Sequence, residues 1–465
     1  MSYSTHKSLP YLLSFICLFK TFLIGRQIFC LNSCKTHPTI PPKELEQTKN
    51  YNKERHYLSL FRMFVSLALD IFIIKKDIFH KFFSYFSNTI LGMTFFYVSY
   101  SIISTIIFIP FDLVSNFIIE ERYGFNKMTL SLFFSDLLKS TMIFSVINFV
   151  FIYALIYCIS NFAYFYIYAF IFFVVLQIFI IVLYPIVILP LFNKFTELEE
   201  GSLKTEIKKL IRKINSYLSD PSSYSLEMKK NEDVKIANDN EEMDKEKEEE
   251  SNITNESYEE QNVHETKEEK ENKDNEEKED YPFVKVKKIL KMDGSKRSHH
   301  SNAYFIGLFK EKRIVLFDTL MDKMSTSEII AVLGHEFGHA SRNHIYKNLS
   351  LMFLIQLLVL FTYSFTCNKN EVIIIDFIYF SYYLSFVNIF LSYLQSYVSR
   401  KFEVEADEFA INLGLGLELR SGLIKLYQDN KAPPVTDKWY SIYVNSHPTL
   451  EERVDFIDKK LKKNE

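Results

Sequence analysis

The sequence predicts a mainly α-helical, polytopic membrane protein, and two observations lead to this prediction. The 465 residues are 48% hydrophobic and 24% charged, and the two kinds of residue are separated along the chain. The 54 residues between Lys139 and Lys194 include no Asp, Glu, Lys, Arg or His. Residues 229–280, by contrast, hold 22 acidic and 9 basic side chains, a local net charge of −13 that leaves +10 on the rest of the chain. Such segregation is typical of apolar membrane helices joined by charged loops.

Uncharged runs long enough to cross a bilayer core of about 30 Å predict the membrane spans. Five of them lie at residues 89–111, 140–160, 161–185, 348–368 and 377–399. Two weaker candidates precede these: 9–31, which contains Lys20 and Arg26, and 57–74, which contains Arg62 and Asp70. A cleaved signal peptide is the alternative for 9–31, although no clear small-x-small cleavage site follows it. We therefore predict about seven transmembrane helices, five within residues 1–193 and two within 348–399.

The distribution of basic residues predicts which loops face the cytosol. Between the end of the first span and the start of the second, the chain carries Lys35, Lys43, Lys49, Lys53 and Arg55, and Arg26 lies in the last turns of the first span. Because basic loops stay cytosolic, this connection is placed in the cytosol. Four predicted spans separate it from residues 194–347, and two more separate those from residues 400–465, so both regions are then cytosolic as well. The lysines of the 75–87 loop would face the lumen, which is the weak point of this assignment. The acidic segment 220–280 has few aromatic residues and is predicted to be a disordered insertion.

The stretch His335-Glu336-Phe337-Gly338-His339 is the most informative in the chain. Ser325 and Glu328 predict a capping box that opens a helix over 325–346. On that helix the two histidines lie one turn apart on one face, so both rings can bind one Zn²⁺, and Glu336 is placed to take a proton from a metal-activated water. The alternative is two unconnected histidines on a surface helix.

A catalytic zinc needs a third protein ligand, and the candidates follow the last apolar span. Glu403 and Asp407 are four residues apart on one helical face. One can ligate the metal while the other accepts the N–H of a ligating histidine. Glu405 points about 200° away from Glu403 and is the weaker candidate. A solvated, membrane-anchoring helix is the alternative for this stretch.

The residues before the metal helix suggest two short strands that form a small β-hairpin. The run Asn302-Ala303-Tyr304-Phe305 leads into Arg313-Ile314-Val315-Leu316-Phe317. An edge strand near the metal can hold an extended peptide by main-chain pairing. A plain structural hairpin is the alternative.

These motifs and several others resemble one known family. The matching blocks are Ile119–Lys127, Tyr184–Phe195, Gly294–Phe305, the HExxH motif, Phe402–Ala410, Trp439-Tyr440 and His447-Pro448 with Arg453. Over about residues 88–215 and 281–457 the chain is similar to the CaaX prenyl proteases of the Ste24 type, which are integral-membrane zinc endopeptidases. It departs from them in a longer acidic insertion, in Asn193 where Asp is common, and in Glu405 where Gln is customary.

The resemblance implies roles for individual residues. His335, His339 and Glu403 would ligate one Zn²⁺, and Asp407 and Arg453 would support those ligands from outside. Glu336 and His447 would be catalytic, as general base and as oxyanion donor. Asn302, Ala303 and Tyr304 would bind substrate.

The resemblance also implies a reaction and a location. The reaction is removal of the C-terminal aaX tripeptide from prenylated CaaX proteins, in a protein whose seven helices enclose a chamber next to a cytosolic zinc metalloprotease domain. Lys462 and Lys463 near the end of the chain resemble a dilysine signal, which together with the family's usual location favours the endoplasmic reticulum membrane. Membrane lipid is an expected partner, and nucleic acid is not.

Two other functions are alternatives to this one. A membrane quality-control metalloprotease would cleave misfolded or translocation-stalled proteins, prenylated or not. A transporter or scaffold would contain the HExxH motif incidentally and would bind no zinc.

Overall fold

Helices make up most of the protein. The computed structural model describes residues 6–221, 285–307, 311–368 and 372–464. The predicted acidic insertion therefore lies, apart from its first two residues, outside the described residues. The helices in chain order are α1 (Leu9–Ser33), α2 (Pro42–Lys75), α3 (Ile78–Phe83), α4 (Ile90–Val114), α5 (Leu130–Asn161), α6 (Phe165–Leu183), α7 (Ser202–Ser219), α8 (Asp318–Lys323), α9 (Thr326–Ser341), α10 (His344–Thr366), α11 (Ile373–Asn412), α12 (Gly416–Asp429), α13 (Lys438–Val444) and α14 (Leu450–Asn464).

Within the described ranges, seven helical segments are long and apolar enough to cross a membrane, which confirms the predicted number. They are α1, α2, α4 with its continuation to Glu120, α5, α6 with its continuation to Leu191, α10 and α11. Large apolar side chains such as Phe144 and Val175 are more than 60% exposed on these helices. In water such a surface would aggregate, whereas in a bilayer it faces lipid.

Two of these helices are much longer than the predicted spans. Helix α2 begins at Pro42 rather than near residue 57, and α11 continues to Asn412 rather than ending near 399. The added turns are rich in Glu and Lys, which are good helix formers but would not lie in the apolar core of a bilayer. A hydropathy pattern therefore marks only the apolar part of each helix.

Charged residues inside the spans pair between helices. The Arg62 guanidinium donates to Asp112 at 2.8 Å, and the Tyr382 hydroxyl donates to Asp70 at 2.9 Å. Pairing of this kind is what intramembrane ionisable groups require for stability. It explains Arg62 and Asp70 without a transport function.

A cavity of about 660 Å³ lies between α1, α2, α11 and α13. Its walls include Lys20, Arg62, Asp70, Tyr382 and Tyr443. The larger chamber expected from the resemblance stays a prediction.

A four-stranded mixed sheet lies outside the candidate membrane spans. Its strands are β1 (Phe195–Glu197), β2 (Lys285–Met292), β3 (Ala303–Ile306) and β4 (Glu311–Phe317), in the order β1-β2-β4-β3. The predicted hairpin is the antiparallel β3–β4 pair, but it is only half of the sheet, because β4 also pairs in parallel with β2. Half of the β2 residues are lysines, so its sequence does not show the apolar pattern of a buried strand.

Helix α9 packs against this sheet and against α7. Leu333 and Phe337 share a buried apolar cluster with Ile211, Ile314 and Leu316. The predicted capping box is present: Ser325 accepts from the Glu328 backbone N–H, and the Glu328 carboxylate accepts from Ser325 N–H. The helix thus begins where the sequence predicts.

The predicted end of the metal helix at residue 346 is wrong. Helix α9 ends at Ser341, and α10 begins at His344 after a sharp change of direction. Asn343 has a φ of 57° in the left-handed region, a conformation that Asn tolerates better than most residues. The turn separates the helix that carries the HExxH motif from α10, which is long and apolar enough to cross a membrane.

Candidate metal centre and active site

Two helices bring the predicted metal ligands together. His335 and His339 lie on one face of α9, and Glu403 lies near the C-terminal end of α11. The two Nε2 atoms are 3.2 Å apart, and the Glu403 carboxylate oxygens lie 3.2 Å from His339 Nε2 and 3.5 Å from His335 Nε2. One ligand atom from each residue therefore lies within 4.8 Å of the other two.

This donor set fits a zinc ion. With metal–donor bonds of about 2.0–2.1 Å, the donors of a tetrahedral zinc lie about 3.3 Å apart, close to the spacings observed here. The buried Glu403 carboxylate faces the Nε2 atoms of both histidines, so its lone pairs are available to a cation held between the two rings. Two imidazoles, one carboxylate and an open fourth side are typical of catalytic zinc sites.

A glycine allows α9 and α11 to approach this closely. A Cβ at position 338 would lie 2.9 Å from the Cα of Ala406 and 3.0 Å from its carbonyl oxygen. A side chain at 338 would therefore press directly on the backbone of α11. Since Glu403 is one turn before Ala406, this contact fixes how far the carboxylate lies from the histidines.

Asp407 and Arg453 support His335 from the side away from the ligand atoms. Asp407 Oδ1 lies 2.8 Å from His335 Nδ1, and the Arg453 Nε donates to Asp407 Oδ2 at 2.8 Å. Burial and Arg453 act to lower the pKa of His335, but the Asp407 and Glu403 carboxylates outweigh them and raise it to about 9. A cation at Nε2 competes with that proton, so acidification should weaken metal binding.

Glu336 lies beside the ligand cluster at the edge of a small cleft. Burial raises the pKa of its carboxyl above the usual range, and the neighbouring histidines oppose this effect. The cleft has a volume of about 220 Å³ and is lined by Glu336, His339, Tyr304, Phe305 and Gly307, among other residues. A carboxylate with a raised pKa at the edge of a cleft can exchange protons with a molecule bound there.

Of the predicted substrate residues, Ala303 and Tyr304 lie on β3, an edge strand of the sheet, and Asn302 directly precedes it. The pairs Ala303↔Leu316 and Tyr304↔Val315 join it to β4, and Asn302 O accepts from Phe317 N–H. The Asn302 side chain accepts from the Ala303 N–H. The Phe305 ring lies 4.5 Å from that of Phe337, so the strand packs directly over the HExxH helix.

His447 lies at the open side of the cluster. Its Nδ1 atom is 2.8 Å from Glu403 Oε2, and its side chain is 62% exposed. Arg400 on α11 donates to the His447 carbonyl at 3.2 Å, which holds the loop before α14 near the ligands. The structure thus brings together His335, Glu336, His339, Glu403, Asp407, His447 and Arg453, with β3 beside them.

One buried histidine at the site is missing from the sequence-based prediction. His344 Nδ1 lies 2.9 Å from His339 Nδ1, and His344 Nε2 lies 3.1 Å from Glu405 Oε2. Glu405 faces away from the ligand atoms, as its helical position predicts. A third histidine five residues after His339 is the signal that could have identified this contact. The sequence does not predict the turn at Asn343, however, and so does not show that the His344 side chain is directed at His339.

Comparison with known proteins agrees with this architecture. Residues 34–194 match the family described as "CAAX prenyl protease N-terminal, five membrane helices", and residues 275–461 match "Peptidase family M48". The CAAX prenyl protease 1 homolog of Oryza sativa subsp. japonica is 30% identical over 97% of this chain and 98% of its own length. CAAX prenyl protease 1 of Saccharomyces cerevisiae is 30% identical over 95% and 92%, respectively. The crystal structure of S. mikatae Ste24p superposes with a TM-score of 0.79 at 28% identity, covering 97% of this chain and 98% of that one.

A bundle of membrane helices joined to an HExxH helix defines an integral-membrane metalloprotease. Near-complete coverage of curated relatives at 30% identity makes the assignment more specific. The chain belongs to the Ste24-type CaaX prenyl proteases of peptidase family M48.

Proposed function

We propose that the protein is a zinc-dependent endopeptidase that removes the C-terminal aaX tripeptide from prenylated CaaX proteins. The observation that carries the proposal is the convergence of His335, His339 and Glu403. Glu403 lies near the C-terminal end of α11, which is one of the candidate membrane helices. The names of the relatives, CAAX prenyl protease 1, supply the substrate class.

His335 Nε2, His339 Nε2 and the Glu403 carboxylate would hold one zinc ion. When bound, the ion supplies a Lewis acid that polarises the scissile carbonyl and lowers the pKa of a water molecule. Glu336 takes the proton of the attacking water and later gives it to the leaving amine. Burial suits Glu336 to both steps, because a raised pKa lies nearer the working pH.

His447 would stabilise the oxyanion of the tetrahedral intermediate. Its Nδ1 faces the Glu403 carboxylate at 2.8 Å and donates to it, so Nε2 donates toward the open side when the ring is the doubly protonated imidazolium. A single well-placed donor of this kind contributes about 3 kcal/mol to transition-state stabilisation. Arg453 acts through Asp407 and His335 rather than on the substrate.

Strand β3 would bind the substrate by main-chain pairing. The antiparallel ladder directs the N–H and C=O groups of Asn302, Tyr304 and Ile306 toward β4. The alternate main-chain groups, the Ala303 C=O and both groups of Phe305, then face away from the sheet. An extended peptide would pair with these groups, while the Tyr304 side chain lines the cleft that also contains Glu336.

The membrane location follows from the substrate chemistry. A farnesyl or geranylgeranyl chain on the CaaX cysteine is lipid-soluble. The peptide bond is therefore cut close to the apolar helices, at a site that α9 and the C-terminal end of the membrane helix α11 form together. We place the protein in the endoplasmic reticulum membrane with the catalytic residues on the cytosolic side. The basic residues of the segment 35–55, which precedes the apolar part of α2, support this orientation.

Cleavage of a prenylated CaaX peptide by the purified full-length protein tests the proposal. Glu336→Gln should lower the cleavage rate about 1,000-fold, since general-base catalysis is lost, while zinc content stays at one ion per chain. The Asp458→Asn variant is a control, because Asp458 pairs with Arg420 away from the site. Retained cleavage by Glu336→Gln would contradict the role of the base. Equal cleavage of the same peptide without its isoprenyl group would instead favour the quality-control protease.

A further inference from the structure

His344 is a buried titratable residue that the proposed cleavage mechanism does not use. It is the first residue of α10 and only 2% exposed. Its ring stacks on Phe402 with centroids 4.2 Å apart and planes within 10°. Its two nitrogens contact His339 and Glu405 at 2.9 and 3.1 Å. A histidine held on three sides beside a predicted ligand has a defined orientation.

The contacts allow one order of protons along this chain of residues. His339 Nε2 faces Glu403 and His335, so as a ligand it carries no proton, and a neutral ring then has its proton on Nδ1. That N–H points at His344 Nδ1, which must therefore be an acceptor. His344 in turn carries its proton on Nε2 and donates it to the Glu405 carboxylate.

From this order we propose that His344 is a positioning residue for the metal site: it fixes the orientation and tautomer of His339 and connects it to the Glu405 carboxylate. The inference rests on the proposed zinc function. It extends the site to a residue that neither the motif spacing nor the ligand geometry includes.

The structure shows why His339 needs an intermediate residue. His335 contacts Asp407 directly, whereas Glu405 lies on another face of α11 and reaches His339 only through the His344 ring. The His339 side chain is also more exposed than that of His335, at 25% against 8%. The hydrogen bond between His339 and His344 therefore restricts the His339 ring, which is packed less tightly than the His335 ring.

Substitutions at His344 separate this role from simple packing. His344→Phe keeps an aromatic ring against Phe402 but removes both hydrogen bonds. His344→Gln keeps the order of groups, because its amide oxygen accepts from His339 and its NH₂ donates to Glu405. Glu405→Met removes the last acceptor, and Glu408→Met is its matched control, since Glu408 is also half-buried on α11 and pairs with Lys460 instead.

The readouts are Zn²⁺ affinity, measured by competition with a chelator, and the visible spectrum of the Co²⁺-substituted full-length protein. His344→Phe should lower Zn²⁺ affinity at least about tenfold and shift the Co²⁺ bands, since loss of an outer hydrogen bond costs about 10–100-fold in affinity. His344→Gln should recover most of the loss. Glu405→Met should weaken binding less than His344→Phe, and Glu408→Met should have no effect.

Two outcomes would overturn the inference: a His344→Phe affinity equal to wild type, or a His344→Gln affinity as low as that of His344→Phe. If His344→Phe does not fold, equal affinities of Glu405→Met and Glu408→Met would overturn it. Wild-type protein is tested in the same series. If it binds no Zn²⁺ and cleaves no prenylated peptide, the proposed function fails; if it does both while His344→Phe is unaffected, only the role of His344 fails.

Discussion

The two helices that form the site differ in how they are built. Helix α9 is short, begins at a capping box and is buried along most of its length. Helix α11 has 40 residues, with exposed aromatic side chains such as Phe390 and Tyr397 in its first part and the fully buried Asp407 near its end. The first helix is specified by residues close in sequence. The second acquires its role only where it contacts the first.

This difference indicates where the site is vulnerable. Two ligands on α9 keep their relative positions as long as one helical turn is intact. The third ligand depends on the distance between two helices whose ligands are more than sixty residues apart in sequence. The contacts of α11 with α9 and α14 should therefore affect metal binding more than the local order of α9 does.

The largest effect is expected at the carboxylate that α11 buries against His335. Asp407→Asn removes the shortest ion pair of the Arg453 guanidinium and weakens the hold on His335, so Zn²⁺ affinity should fall by about 10–100-fold. Chelator competition measures the loss. Asp458→Asn, which neutralises an exposed Asp–Arg pair, is the control and should bind zinc as wild type does. Wild-type affinity in Asp407→Asn would show that α11 contributes little beyond Glu403.

A smaller effect is expected from the helix contact itself. Gly338→Ala places a methyl group against the α11 backbone at Ala406 and should lower the free energy of unfolding by about 1–2 kcal/mol, despite the better helix propensity of Ala. Gly334→Ala meets only the flexible end of Leu415 and should be close to neutral. Thermal unfolding in detergent compares the two. Equal shifts in Tm would contradict the close approach at 338.

The smallest effect concerns the local order of α9. Burial acts to raise the pKa of Glu328, but hydrogen bonds from Ser325, Ser421 and Lys425 outweigh it and lower the pKa to about 2. A depressed folded-state pKa stabilises the protein above the unfolded value of about 4.3, and the contribution is lost as pH falls toward 2. Glu328→Gln should cost about 1 kcal/mol near neutral pH.

The pH dependence provides the check on Glu328. The Tm difference between wild type and Glu328→Gln should narrow as pH is lowered from about 5 to about 3, since Glu328 of the unfolded chain then binds a proton that the folded protein does not, which favours unfolding of the wild type. A difference that stays constant over this range would show that the charge of Glu328 is unimportant.

The sequence predicts the parts of the molecule that local patterns specify. Seven spans follow from apolar runs, and the start of α9 follows from Ser325 and Glu328. The strand β2 was missed because its lysines hide its alternation. The end of α9 at Ser341 is not predicted, because no residue before Asn343 indicates that Asn343 adopts a left-handed conformation.

Contacts between segments that are distant in the chain can be predicted from the sequence only in part. The spacing on α11 predicts that one of Glu403 and Asp407 is the metal ligand and the other the supporting carboxylate, but it does not say which. The family resemblance makes that choice. The structure places Glu403 near both Nε2 atoms and Asp407 at His335 Nδ1. The His344–Glu405 contact depends on a turn and on two helices at once, so no local pattern could predict it.

The most direct test is the zinc content of the Glu403→Ala protein, in which both histidines of α9 remain. Wild type should contain one zinc ion per chain, and Glu403→Ala should lose it in a buffer with submicromolar free Zn²⁺, since a third protein ligand is removed. One tightly held ion per chain in Glu403→Ala would contradict the claim that α9 and α11 together form the metal site.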